Sequence, residues 1–230
     1  MFKFEDLPVR RKSWMKIANI PKARQGWLID DCTELFPDDI SRIKRWVSRV
    51  SEGRVIRAAG DSLCGKGLLF YGTPGQGKTT LALSIIQELI KSVPYSALDV
   101  KPDHTLVTPC YFATYNDILD LKGVLMSSDK TDEDVRRFDG LLGEASDDAY
   151  NVRVLVIDDV GKEHLSGSGW QQSMLHHIIR TRFNNGLPTI VTTNIELNTW
   201  ASTYGPAMES FAREAFAYIV LESTKGDLRK

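Results

Sequence analysis

The run Gly72-Thr73-Pro74-Gly75-Gln76-Gly77-Lys78-Thr79-Thr80 places a lysine and two hydroxyls at the end of a glycine-rich turn, a combination suited to holding phosphate. Its pattern, Gly72-x-x-x-x-Gly77-Lys78-Thr79, is a P-loop. Gly72, Gly75 and Gly77 have the backbone freedom to turn successive N–H groups into one concavity. A helix opening at Thr79 adds unpaired N–H groups and a partial positive charge beneath bound phosphates. In that arrangement Lys78 reaches the β- and γ-phosphates of ATP, and the Thr79 hydroxyl ligates Mg²⁺.

Two further groups fit the same chemistry. Arg153-Val-Leu-Val-Ile157-Asp158-Asp159 is a hydrophobic strand delivering carboxylates at its C-terminal end, the edge where open α/β sheets bind ligands. Asp158 is the candidate Mg²⁺ ligand. Asp159 points differently because strand side chains alternate, and becomes the candidate to orient or activate the attacking water. Thr189-Ile-Val-Thr192-Thr193-Asn194 is another strand ending in a polar amide. In a P-loop fold with one strand inserted between the two motif strands, the next strand lies beside the acidic one, within reach of the γ-phosphate. Asn194 equally suits the cap of a following helix at 197–204.

The elements needed to position these groups are legible in the hydrophobic pattern. Leu68 to Tyr71 reads as the strand before the P-loop and Thr79 to about Lys91 as the helix after it. Thr108 to Thr114, Val152 to Asp158, Leu187 to Thr193 and Tyr218 to Leu221 read as strands. Helices are expected at Asp38 to Val50, across Asn116 to Ser146 with a break around Ser127 to Thr131, at Ser168 to Phe183, and up to about Phe216. Strands alternating with helices predict an α/β P-loop NTPase fold: a central five-stranded parallel sheet covered by helices on both faces. At 230 residues the chain has room for one large domain, and 42% hydrophobic residues can fill its core. A formal net charge of −1 removes any bulk electrostatic case for nucleic acid, so DNA contact needs a local patch. Arg42, Lys44, Arg45, Arg49, Arg54 and Arg57 are one such set, and Lys122, Arg136 and Arg137 another. The acidic stretch from Asp129 to Asp148 argues against a simple groove there. Cys32, Cys64 and Cys110 are scattered without metal-ligand spacing. With no apolar run of membrane length and no signal segment, a soluble, cytoplasmic protein is expected.

With these residues in place, the chain resembles the AAA+ ATPases of the DnaC/IstB type, the replicative helicase loaders and transposition ATPases. The similarity spans Ile17 to Lys230. It is carried by Ile20-Pro21-Lys22-Ala23-Arg24, the P-loop, Leu155-Val-Ile-Asp158-Asp159-Val-Gly161, and Ile178-Ile-Arg-Thr-Arg182-Phe183 leading to Leu187-Pro-Thr-Ile-Val-Thr-Thr-Asn194. The resemblance implies that Ile20 and Pro21 line the adenine pocket, that Asn194 is a sensor-1 residue, and that a basic residue near the C-terminus acts across a subunit boundary. Arg213 lies near the family's arginine finger, and Arg229 resembles its sensor-2 arginine. Arg213 also reads as a surface helix residue paired with a neighbouring acid. The implied function is ATP- and Mg²⁺-dependent loading of a replicative ring helicase by a homo-oligomer that contacts DNA, single-stranded in this family. A transposition ATPase that recruits a transposase, a nucleotide-dependent switch that barely hydrolyses, and a small-molecule kinase are the alternatives. Two departures stand out. Asp159 replaces the usual Glu, which predicts slow turnover. Residues 1–16 form only a short basic tail before an ATPase domain at 17–230, either a docking peptide (Arg10, Arg11, Lys12, Trp14, Lys16) or a solvated extension.

Overall fold

The computed structural model describes residues 2–52, 56–59, 62–94, 107–162, 169–224 and 226–227. Among the described residues seven strands form: β1 (Ile56–Ala59), β2 (Ser62–Gly65), β3 (Gly67–Tyr71), β4 (Cys110–Thr114), β5 (Val154–Val160), β6 (Thr189–Thr193) and β7 (Phe216–Val220). The helices are α1 (Val9–Ile17), α2 (Pro37–Ser51), α3 (Lys78–Ser92), α4 (Tyr115–Leu125), α5 (Asp132–Leu142), α6 (Trp170–Asn184), α7 (Trp200–Tyr204) and α8 (Pro206–Ala215). Five strands make one sheet in the order β4-β5-β6-β3-β7, every pairing parallel. β1 and β2 form a separate antiparallel hairpin that the hydrophobic pattern did not announce.

Period-two alternation sorts the sheet residues onto two faces. Leu68, Phe70, Val154, Val156 and Ile190 pack with α1, α2 and α3. Leu69, Leu155, Ile157 and Val191 pack with the helices α4 to α8. The expected five-stranded parallel sheet with helices on both faces is therefore what forms, with small boundary shifts. The strand expected at Tyr218 begins at Phe216, because α8 runs straight into it.

The N-terminal segment departs from its expected form. Residues 1–16 were expected to be a short tail, yet α1 carries Trp14 and Met15 into the core with 1% exposure each. The boundary expected after residue 16 falls inside this helix. The physical reason lies in α3, which buries Leu81, Ala82, Leu83, Ile85, Ile86, Leu89 and Ile90 and is thus apolar around most of its circumference. A helix of that kind needs cover on the side away from the sheet. Arg11 is drawn in as well: its guanidinium donates to the carbonyls of Ile90 and Val93, satisfying the C-terminal end of α3. After α1 the chain protects the sheet edge. The Phe112 N–H of β4 donates to Ala18 O at 3.0 Å, and Asn19 Nδ2 donates to Phe112 O at 2.9 Å.

Candidate nucleotide site

The P-loop follows β3 and opens α3, as its sequence requires. Gly75 and Gly77 take positive φ values of 84° and 79°, where other residues are strained. Gly72 is needed for space instead: a Cβ there would lie 2.5 Å from Leu221 O. Gly77 caps α3 without a side-chain hydrogen bond, so the first-turn N–H groups remain available to an anion. Lys78 is buried and its Nζ donates to Gly72 O at 2.6 Å and Thr73 O at 2.8 Å. Gln76 accepts from the Ser223 N–H at 2.6 Å, tying the loop to the C-terminal segment.

Beside the P-loop lies a cleft of ≈ 310 Å³ lined by Arg24, Pro74, Gly75, Gly77, Lys78, Thr79, Thr80, Asp158, Asp159, Lys162 and Asn194. Four separate stretches of chain thus converge on one space. Thr79 Oγ1 donates to the Asp158 carboxylate, 2.9 and 3.0 Å from its two oxygens, and Thr192 Oγ1 donates to Asp158 Oδ1 at 2.5 Å. Burial pushes the Asp158 carboxyl above the usual carboxylate range, and these two hydroxyl donors only partly offset it. A hydroxyl and a carboxylate converging through oxygens suit Mg²⁺, which selects hard oxygen ligands.

Asp159 reaches the cleft by a route that alternation alone did not predict. Alternation would aim it at the opposite face, away from α3. A β-bulge between Ile157 and Val160, with Asp159 at φ 59°, turns it back instead. Its N–H donates to Thr192 Oγ1 at 3.0 Å, and its carboxylate pairs with Lys162 Nζ at 2.7 Å. Asn194 lines the same cleft, and its Oδ1 is buried with no hydrogen-bond partner among the described residues. It is not a helix cap: Glu196 and Thr199 occupy the N-cap positions of the two helical turns that follow.

The remaining expected site residues lie elsewhere. Ile20 is packed in the core and Pro21 is exposed; neither lines the cleft, whereas Arg24 does. Arg213 lies on α8, outside the cleft and paired with Glu209. Arg229 and Arg54 lie outside the described residues. Of the basic residues considered for DNA, Lys122, Arg136 and Arg137 sit over the rings of Phe138, Tyr150 and Tyr111. Arg42 donates to Tyr218 O at 3.1 Å, and Lys44 pairs with Asp30.

Three contributors escaped the sequence reading. Thr192 joins both acids through one hydroxyl, and its alternation with Ile190 was the available signal. Lys162 had none, because its return to Asp159 depends on the bulge. Arg24 is set by Gln87, a buried residue of α3 whose amide donates to Arg24 O at 2.9 Å and accepts from the Gly26 N–H at 2.7 Å.

The profile of the "ATPase family associated with various cellular activities (AAA)" matches residues 68–199, more than half of the chain, and the chain belongs to that family. Among solved structures it is similar to a DnaC helicase loader, with 26% identity and a TM-score of 0.59 over 88% of this chain and 100% of that one. It is also similar to DnaI, at 20% identity and TM-score 0.55 over 89% of this chain and 92% of that one. A third likeness is to AMPPCP-bound DnaA from Aquifex aeolicus, at 15% identity and TM-score 0.52, covering 89% of this chain and 52% of that one. The curated proteins include no match to this sequence. The chain is thus a DnaC-like AAA+ ATPase in family and fold. Among the described residues, no helix is long and apolar enough to cross a membrane.

Proposed function

We propose that this protein binds and hydrolyses ATP with Mg²⁺, assembles into a homo-oligomer when ATP is bound, and loads or remodels a replicative ring helicase on single-stranded DNA. The observation that carries this reading is the convergence of Lys78, Thr79, Asp158, Asp159 and Asn194 on one cleft, within a fold that matches a DnaC loader over that chain's full length. Lys78 exchanges the carbonyls of Gly72 and Thr73 for phosphate oxygens. Thr79 and Asp158 would hold the Mg²⁺, which supplies charge neutralisation at the phosphates. Asp159 orients the attacking water and accepts its proton, and the unpartnered Asn194 Oδ1 is a further acceptor for that water. Arg213, on the exterior, acts in the neighbouring subunit's site by exchanging Glu209 for the transferring phosphoryl group.

The test is light scattering of the purified protein mixed with the replicative helicase of its source, with ATP and then without nucleotide. A defined complex that needs ATP supports the loader reading. Separate elution under both conditions overturns it. One observation favours a second reading, a weakly hydrolysing switch: Asp159, the candidate base, is one methylene shorter than Glu and is already paired with Lys162. Faster hydrolysis without better loading in Asp159→Glu would favour the switch.

A further inference from the structure

We propose that Lys162 is the cation that reads the γ-phosphate, and that it holds Asp159 in check until that phosphate arrives. The inference rests on the ATP-binding reading above. It concerns a residue that neither the P-loop nor the acidic strand motif assigns.

The contact is built rather than incidental. The chain leaves β5 through Asp159 at φ 59° and Gly161 at φ 97°, and the Lys162 N–H closes the turn onto Asp159 O at 3.3 Å. At Gly161 it is this φ that calls for glycine, because L side chains are strained there. The turn also lies against the side chain of Ile195, the residue that follows Asn194. Its effect is to bring Lys162 Nζ back to the Asp159 carboxylate at 2.7 Å inside the cleft.

The pair is also easily exchanged. The Lys162 and Asp159 side chains keep 49% and 37% of their exposure, and ion pairs this open contribute little to stability. A γ-phosphate brings several anionic oxygens to the same cleft and outcompetes one carboxylate for the ammonium. Once Lys162 moves to the phosphate, Asp159 has lost its cation and becomes available to accept a proton from water. A diphosphate offers no oxygen at that position, so the pair stays closed. Lys162 thereby couples recognition of the triphosphate to release of the base.

Fluorescence titration with a non-hydrolysable labelled ATP analogue and with labelled ADP, both with Mg²⁺, tests the proposal without recourse to turnover. Lys162→Met should weaken triphosphate binding roughly tenfold while ADP affinity stays within about twofold, and Lys162→Arg should restore the difference. Asp159→Asn, which frees the lysine, should tighten the triphosphate. Equal losses for both nucleotides, no loss in Lys162→Met, or no tightening in Asp159→Asn overturns the role of Lys162. Wild-type protein that binds neither nucleotide instead removes the ATP reading itself, and this inference with it.

Discussion

Arg182 lies in the string that carries much of the family resemblance, and the structure gives it a structural task with a measurable size. Its side chain is fully buried. Nε donates to Thr189 Oγ1 at 2.9 Å; Nη1 donates to Leu141 O at 2.5 Å and Val152 O at 3.1 Å; Nη2 donates to Arg153 O and Pro188 O, each at 3.1 Å. No carboxylate is among these partners. One planar fork therefore joins the end of α5, the entry to β5 and the entry to β6, which fixes the relative position of the two strands that bear Asp158 and Asn194. Burial pushes the guanidinium down to about 9, so it stays cationic at neutral pH. Arg182→Met removes every one of these bonds. Each orphaned carbonyl costs about 1–3 kcal/mol, offset in part because a cation no longer has to be buried. The expected net loss is about 3–5 kcal/mol, a large share of the roughly 5–15 kcal/mol available to a domain. Arg182→Lys keeps the charge but not the fork, and should fall between. Urea unfolding of the nucleotide-free protein measures all three. If Arg182→Met unfolds within about 1 kcal/mol of wild type, the fork does not organise the strands and the reasoning fails.

The N-terminal helix gives a second prediction: Trp14→Ala should cost about 3–5 kcal/mol in the same assay, whereas a detachable tail would cost nothing. Thr192→Val removes a donor to Asp158 and the acceptor for the Asp159 N–H. It should cost about 2–4 kcal/mol and weaken Mg²⁺-dependent nucleotide binding, so unchanged values on both counts would rule out the bridge. The raised pKa of Asp158 has a defined sign. The folded state holds this proton more tightly than the unfolded chain, so the contribution to stability is complete below the unfolded value of 3.8 and is lost as pH rises through the folded value. Asp158→Asn should therefore gain on wild type as pH climbs from acid to neutral in the absence of nucleotide, while losing Mg²⁺-dependent binding. Thermal unfolding at a series of pH values would refute this if the two proteins ran parallel.

Local pattern determined most of the site. The glycine spacing, the lysine and threonine that follow it, and two apolar strands ending in acids or an amide act through neighbours in sequence. Their chemistry can be read without knowing the fold. The five strands were legible for the same reason, since alternation and branched side chains are short-range signals. Contacts between distant segments were not. The charges of Arg10, Arg11 and Lys12 made residues 1–16 look solvated, although the all-round apolar surface of α3 already required a cover. The bulge at Asp159 depends on how β5 registers against β6, and without it Lys162 has no reason to approach an acid. Arg182 looked like one more residue on an amphipathic helix until three separate segments brought their carbonyls to it. Arg24 reaches the cleft because Gln87, many residues later, grips the backbone on either side of Gln25. The sequence by itself named the groups suited to holding phosphate. Tertiary structure alone decided which buried polar partners aim them, because a buried hydrogen bond is specified by two distant segments arriving together.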